Sequence, residues 1–282
     1  MCRLFGLSAA PNRVDAGFWL LDAPDSILAQ SHRNPDGTGL GYFDAAGAPV
    51  IDKQPLAAFN DRAFAREARH VISQTFITHV RLASTGGLTR VNTHPFAIGN
   101  RIMAHNGALG DLPRLEAELG DGMGVVQGDT DSERMFALIA QRIDAAGGDV
   151  GAGIAAATGW IAAHLPVYSL NLILITAAEL WALRYPETHR LYVLERAAGG
   201  VHGGRPLHQT SATLRVHSEP LAGYPSVVVA SEPLDEHPGW RLLDPGELVH
   251  VAADLGVSSR IALADPPAQP MQVSYLHGAP QP

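Results

Sequence analysis

Short apolar runs fill both ends of this 282-residue chain, and two amphipathic helical segments lie between them. Each run is bounded by glycine, proline or polar residues and alternates or stays apolar, which is typical of β-strands. The predicted strands cover residues 3–7, 39–43, 76–81, 101–105, 170–176, 180–185, 191–194, 226–230 and 247–252. Because strands occur on both sides of the helices, the pattern favours a single α+β domain.

Helical periodicity is found in three segments. Residues 60–72 place apolar side chains on one face, and residues 152–164 form an Ala-rich stripe that ends before Pro166. The clearest helix start is Thr130 followed by Glu133, a capping box in which each side chain satisfies the other residue's backbone N–H. The apolar stripe of that helix consists of Met135, Phe136, Leu138, Ile139 and Ile143.

The last third of the chain carries fewer regular patterns. Residues 197–223 contain several glycines and scattered histidines and are predicted to be loop-like, and the Pro-rich residues 264–282 are predicted to form an extended arm. No internal repeat or linker is evident in the remainder. The predicted organisation is therefore one domain over residues 2–263, followed by the arm over residues 264–282.

Charge and composition exclude several classes of function. The formal net charge is −8 and no basic run occurs, so neither a nucleic-acid nor an anionic-membrane partner is expected. No stretch approaches the ~20 apolar residues that span a bilayer, and no signal-peptide core follows Met1, so we expect a cytoplasmic protein. A homodimer is expected only because small symmetric oligomers are common.

Thirteen histidines raise the question of a metal site. None of them has the spacing that places two ligands on one helix face, so no metal and no cofactor is predicted. His79, His94 and His105 lie beside other polar motifs and are interpreted as hydrogen-bonded core histidines.

The single cysteine, at position 2, is the first candidate for chemistry. It excludes an intramolecular disulfide and a multi-cysteine zinc site. Removal of Met1 would place a thiol and an α-amine on one residue, so that Cys2 would carry both a nucleophile and the base that takes its proton. The alternative is that Cys2 is an ordinary buried residue of the first strand.

Four further positions fit an acyl-transfer site for a substrate with an α-carboxylate and an α-ammonium. Asn106 and Gly107 could supply a side-chain and a backbone N–H to an oxyanion, although Asn-Gly is also a common hairpin turn. Arg81 could bind the carboxylate with two donors, or be a surface arginine. Asp131 could accept from the ammonium, or simply complement the helix dipole.

Taken in order, these patches resemble the class II glutamine amidotransferases, a branch of the N-terminal-nucleophile hydrolases. The start resembles the processed family start, and residues 32–39 resemble the Arg-Gly-Pro-Asp-Gly loop with Asn34 in place of the glycine. The matching segments are Met1–Gly6, His32–Gly39, Thr78–Ser84, Asn92–Phe96, Ala104–Gly107 and Gly128–Glu133.

The resemblance implies a four-layer αββα sandwich of the N-terminal nucleophile hydrolase type. It also implies that Cys2 is the nucleophile, that Asn106 and Gly107 form the oxyanion hole, and that Arg81 and Asp131 bind the substrate carboxylate and ammonium. Ser84 and Thr130 belong to the same motifs and are assigned to substrate binding. The implied substrate is glutamine or a small γ-glutamyl molecule.

One departure affects the choice of branch. Biosynthetic relatives continue Arg-Trp-Ala-Thr-His-Gly, whereas Arg81 is followed by Leu-Ala-Ser-Thr-Gly. Nothing in the chain resembles a synthase domain, so ammonia transfer would require a partner subunit. The chain is more similar to the compact branch that includes the γ-glutamyl hydrolase of ergothioneine biosynthesis and enzymes of glutathione breakdown, and residues 228–234 weakly resemble that branch. An inactive glutamate-binding regulatory subunit is the remaining alternative.

Overall fold

The computed structural model describes residues 2–82, 86–199, 208–211, 214–217 and 219–272. The strands are, in chain order, β1 (Arg3–Ser8), β2 (Gly37–Phe43), β3 (Pro49–Gln54), β4 (Thr75–Arg81), β5 (Phe96–Ile98), β6 (Arg101–Leu109), β7 (Pro166–Ile175), β8 (Leu180–Leu183), β9 (Tyr192–Arg196), β10 (His208–Ser211), β11 (Leu214–His217), β12 (Ser226–Ala230), β13 (Arg241–Leu242), β14 (Glu247–Val251), β15 (Val257–Ile261) and β16 (Gln269–Pro270). The α-helices are α1 (Ile27–Gln30), α2 (Arg62–His70), α3 (Leu112–Leu119), α4 (Asp131–Ala145), α5 (Val150–His164) and α6 (Glu219–Gly223).

Most strands form two antiparallel sheets. The first sheet has the order β13-β9-β12-β1-β4-β2-β3, so β1 lies at its centre. The second has the order β15-β14-β8-β7-β6-β5, and β16 adds to β7 in parallel. Strands β10 and β11 pair as a separate hairpin.

Three apolar clusters place the sheets and helices in layers. Residues of both sheets, including Leu4, Ile102 and Ile173, form a cluster between the sheets. The outer face of the first sheet packs on α1 and α2, and the outer face of the second packs on α3, α4 and α5. The four-layer αββα sandwich is therefore confirmed.

Successive side chains of strand β6 point to opposite faces of the sheet, and this alternation decides which of them face the site. Ile102 and Ala104 lie between the sheets, whereas Met103 packs towards the helices. The same alternation directs Asn106 towards the first sheet and His105 towards the helical layer. Adjacent residues of one strand thus serve opposite layers.

Several elements were not recognised in the sequence. Strands β3 and β15 are half-buried or exposed and lack a clear apolar face, and β5 has only three residues. Helix α3 follows Asp111, whose side chain caps it, and has a proline in its first turn, a signal that sequence reasoning overlooked. The loop-like prediction for residues 197–223 is wrong in part, because β10, β11 and α6 fall there.

The described part of the proposed arm contacts the domain. Ala268 N–H donates to Ala162 O at 2.9 Å, and Met271 N–H donates to Val167 O at 2.8 Å. Residues 273–282 lie outside the described part of the chain. The division at residue 263 stays a prediction.

Candidate active site

Cys2 lies at the start of β1, beside the chain that leaves β4. Leu82 N–H donates to Cys2 Sγ at 3.2 Å, and the thiol donates to Leu82 O at 3.3 Å. Strands β1 and β4 are paired, with Arg3 opposite Val80, which brings Cys2 level with the end of β4. Cys2 therefore belongs to the same corner of the sheet as Arg81.

The thiol of Cys2 is held in its neutral form. Burial raises its pKa, opposed by the Leu82 N–H and then by the positive charges of the chain's amino terminus, Arg81 and Arg3. Because the thiolate is the reactive species, such a thiol needs a base when it attacks. A base within reach of Cys2 is thus a chemical requirement of any nucleophilic role.

Asn106 reaches Cys2 from the second sheet. Its Nδ2 donates to the backbone carbonyl of Cys2 at 2.9 Å, across 104 positions of sequence. Asn106 and Gly107 lie inside β6, paired with Asn171 and Leu170 of β7. The alternative that Asn-Gly is a hairpin turn is therefore wrong.

Gly107 has a steric and an electrostatic role in this strand. A Cβ at this position would lie 1.9 Å from Ser169 O, so only glycine fits. Its cross-strand neighbour Leu170 donates its N–H to Tyr185 O, on the opposite side of β7. Since hydrogen-bonding direction alternates along an antiparallel pair, the Gly107 N–H points away from β7.

Arg81 is buried, with 3% of its surface exposed. Its guanidinium donates to Gly87 O at 3.1 Å and to Gly86 O at 3.3 Å. Burial lowers its pKa, and the charges of Cys2, Asp36 and Asp131 oppose that effect. The surface-arginine alternative is wrong, and Arg81 is electrostatically coupled to both Cys2 and Asp131.

Asn92 fixes the chain segment that Arg81 holds. Its Nδ2 donates to Gly87 O at 3.3 Å, and its Oδ1 accepts from Asp129 N–H at 2.8 Å. Gly86 lies against Asn92 and Thr130, since a Cβ on Gly86 would meet atoms of both side chains. Gly86, Gly87 and the start of α4 therefore lie together beside Arg81.

Asp131 is buried at the first turn of α4. Its Oδ2 accepts from Leu109 N–H at 2.8 Å, and its Oδ1 accepts from Ser132 N–H at 2.9 Å. These contacts tie α4 to the end of β6.

His105 links this carboxylate region to β7. Its Nε2 lies 3.0 Å from Ser169 O and its Nδ1 lies 2.9 Å from Ser132 Oγ. Because a carbonyl only accepts, Nε2 carries the proton and Nδ1 accepts from the hydroxyl. Burial lowers the pKa of His105, opposed by Asp131, which agrees with a neutral ring.

The predicted capping box is half confirmed. Thr130 Oγ1 accepts from Glu133 N–H at 3.2 Å. The Glu133 carboxylate does not return to Thr130; it accepts from Gln127 N–H at 3.1 Å and Gly128 N–H at 2.7 Å. The Thr130 hydroxyl is thus committed to the helix start, and Ser84 lies outside the described residues.

A motif noticed only weakly in the sequence lies against the nucleophile. Leu4 N–H donates to Ser231 Oγ at 3.0 Å, and Ser231 N–H donates to Leu4 O at 3.0 Å. Glu232 pairs with Arg3 at 2.6 Å and with Arg33 at 3.7 Å. The end of β12 therefore fixes the first residues after Cys2.

Two of the three histidines interpreted as hydrogen-bonded, His79 and His94, depart from that interpretation, and His189 behaves as they do. His79, His94 and His189 have no hydrogen bond of ordinary geometry at either ring nitrogen within the described residues. Burial lowers the pKa of His79 to about 3 and of His189 to about 4, and lowers that of His94 well below its usual value. Only His105 fits the interpretation as a hydrogen-bonded core histidine, and His189 was missed because no sequence motif contains it.

The described residues contain neither a metal-binding cluster nor a membrane-spanning helix. No group of three or more His, Cys, Asp or Glu side chains is arranged to hold a metal ion there. Each helix in the described ranges is too short or too polar to traverse a bilayer.

The chain is similar to known proteins along most of its length. The chain is 28% identical over 264 residues to the γ-glutamyl-hercynylcysteine sulfoxide hydrolase of Mycolicibacterium smegmatis, covering 89% of this chain and 96% of that protein. It is 29% identical over 262 residues to the Mycobacterium tuberculosis protein of the same name, covering 89% of this chain and 93% of that protein.

A solved structure confirms the fold type. Glutamine phosphoribosylpyrophosphate amidotransferase from B. subtilis matches 94% of this chain with a TM-score of 0.62 and 20% identity, over 50% of its own length. This likeness supports the four-layer sandwich fold. The family model for class-II glutamine amidotransferases matches residues 1–270, so this chain belongs to the class II glutamine amidotransferase family.

Proposed function

We propose that this chain is a γ-glutamyl amide hydrolase in which Cys2, freed of Met1, attacks the side-chain amide of its substrate. The observation that carries the proposal is the meeting of Cys2 with Asn106 Nδ2, a donor brought from the other sheet to within 2.9 Å of the Cys2 carbonyl. Donors preorganised beside a nucleophile are what acyl transfer needs.

The reaction proceeds in two steps. The α-amine of processed Cys2 takes the thiol proton, sulfur bonds to the amide carbon, and the oxyanion is stabilised by Asn106 Nδ2 and Gly107 N–H. The C–N bond then breaks, and the amine returns the proton to the leaving nitrogen. Water hydrolyses the resulting thioester, which releases glutamate and restores the thiol.

The proposed recognition of the glutamyl head uses opposite charges. Arg81 binds the α-carboxylate with two donors, and Asp131 accepts from the α-ammonium. Both side chains are buried, and the charges of Cys2 and Asp131 act on the Arg81 guanidinium. Arg81 already donates to the Gly86 and Gly87 carbonyls, so the segment that follows β4 adjusts when a carboxylate enters.

The leaving group is proposed to be an amine larger than ammonia. The relatives that match this chain over nearly their full lengths are named as hydrolases of a γ-glutamyl conjugate. The sequence after Arg81 also lacks the tryptophan and histidine of biosynthetic relatives. A γ-glutamyl amine or thiol conjugate is therefore the favoured substrate, without an ammonia-accepting partner.

A turnover panel tests this function. The purified protein should have an intact mass without Met1 and should hydrolyse a γ-glutamyl anilide. Among glutamine, glutathione and γ-glutamyl amines, we expect the highest kcat/KM for a conjugate. Cys2→Ala should remove all turnover, because the nucleophile is lost.

The same panel can reject the proposal. Retention of Met1 on active protein would exclude the α-amine as the base. Unchanged turnover in Cys2→Ala would exclude Cys2 as the nucleophile. A clear preference for glutamine would reject the conjugate while retaining the amidase.

A further inference from the structure

His189 is a buried histidine that the proposed reaction does not use. It is 5% exposed and lies in the chain between β8 and β9. Its carbonyl accepts from Arg184 Nε at 2.9 Å and from Asn171 Nδ2 at 3.3 Å. Asn171 is paired directly with Asn106, so these contacts fix His189 behind the proposed oxyanion hole.

The ring of His189 has capacity for a partner. Within the described residues, neither nitrogen makes a hydrogen bond of ordinary geometry. Burial lowers its pKa to about 4, and the Asn106 backbone carbonyl is the first group that opposes this effect, so the ring is neutral. A buried donor without a partner is costly, and a functional role is one reason for a protein to retain it.

The Asn106 carbonyl controls an oxyanion donor. It belongs to the same planar trans peptide as the Gly107 N–H, so the two groups point in opposite directions. Whatever holds the carbonyl therefore orients the N–H. Ser169 Oγ lies 3.1 Å from this carbonyl but also 3.5 Å from Tyr185 O, so its one proton is shared between two acceptors.

We propose that His189 is a positioning residue of the amidase site, whose neutral ring donates to the Asn106 carbonyl as the oxyanion forms and so aligns the Gly107 N–H. The inference rests on the proposed function. Catalytic hydrogen bonds are often long or poorly aligned in the free enzyme and tighten in the transition state. Donation to the carbonyl also polarises the peptide and strengthens the N–H as a donor.

Two variants separate positioning from packing. His189→Phe keeps an aromatic ring and removes the donor, so we expect kcat for a γ-glutamyl anilide to fall about tenfold with KM within about twofold. The melting temperature should not fall, because an unpaired buried donor is removed. His189→Gln restores an N–H donor and should recover most of kcat.

His250→Phe is the matched control for His189→Phe. His250→Phe alters a ring stacked on Trp181, on a strand two places from β7, and should leave kcat unchanged. A kcat within twofold of wild type in His189→Phe would overturn the positioning role. A change confined to KM would also overturn it. So would equal losses of kcat in His189→Phe and His189→Gln together with lowered melting temperatures. If Cys2→Ala retains turnover, the proposed function itself fails; if Cys2→Ala is inactive and His189→Phe is normal, only the role of His189 fails.

Discussion

At the scale of single residues, the candidate site depends on atoms that approach Cys2 from different strands. Asn106 contributes a side-chain amide and Gly107 a backbone N–H, and they lie next to each other in β6. The alternation of a strand turns the Asn106 side chain towards the first sheet, while the missing side chain of Gly107 admits Ser169 O. Asn106 and Gly107 together thus direct an amide side chain towards Cys2 and allow β7 to approach closely.

Asn106→Ala tests the oxyanion role at this scale. Loss of the Nδ2 donor should lower kcat by roughly 10²-fold with little change in KM, because the interaction is made mainly in the transition state. Steady-state kinetics on a γ-glutamyl anilide measure this. Asn100→Ala, in the exposed turn before the same strand, is the matched control and should leave kcat and KM unchanged. An effect on KM alone would argue against an oxyanion donor.

At the scale of elements, α4 and α5 form the support beneath the second sheet. Gly153 of α5 faces Ile143 of α4 so closely that a Cβ would lie 2.3 Å from Ile143 Cγ1 and 2.6 Å from its Cα. Helix α4 also carries Asp131 at its start. A change in the distance between α4 and α5 would therefore be expected to move the carboxylate of Asp131, which is proposed to bind substrate.

Gly153→Ala and Gly159→Ala should change stability in opposite directions. Alanine favours a helix over glycine by about 1 kcal/mol, but overpacking typically costs about 1–3 kcal/mol. Gly153→Ala should therefore be destabilising, whereas a Cβ on Gly159 meets Leu263 at an ordinary 3.8 Å and should be stabilising. Urea unfolding measures both free energies. A stabilised Gly153→Ala would show that the helices separate at little cost.

At the scale of the whole molecule, neutral histidines inside the sandwich couple folding to pH. His79, His94 and His189 all have pKa values lowered by burial, so the unfolded chain binds protons before the folded chain does. Their full contribution to stability is present above the unfolded pKa of about 6.5 and is lost as pH falls towards the folded values. Burial is the main cause that raises the pKa of Glu67 to about 7, so the folded chain binds this proton before the unfolded chain does. Its contribution to stability therefore grows as pH falls and offsets part of the loss from the histidines.

The free energy of unfolding should therefore fall as pH is lowered from about 6.5 to about 5. Each fully coupled histidine contributes about 1.4 kcal/mol per pH unit. Urea titrations across this range measure how steeply the free energy of unfolding changes with pH. His79→Gln should reduce that slope by the contribution of about one histidine. A stability that does not change with pH over this range would contradict neutral burial of these rings.

Part of the fold could be predicted because local patterns were strong. The apolar stripe of α4 and the runs that became β4, β7 and β12 follow the expected periods of helix and strand. Strand β15 could not be predicted in this way, since Val257–Ile261 is largely exposed and is fixed by pairing with β14. The partners of Glu133 were also mistaken, because a local motif does not specify which of several nearby N–H groups a carboxylate reaches.

The sequence by itself determined the ordered motifs, the single cysteine at position 2 and the family to which they point. Only the tertiary structure decided that Asn106 lies inside a strand and donates to Cys2, and that His189 is buried behind it. These relations join residues from different strands and loops, often more than 60 positions apart. Sheet pairing and layer packing create them, and local periodicity carries no information about such contacts.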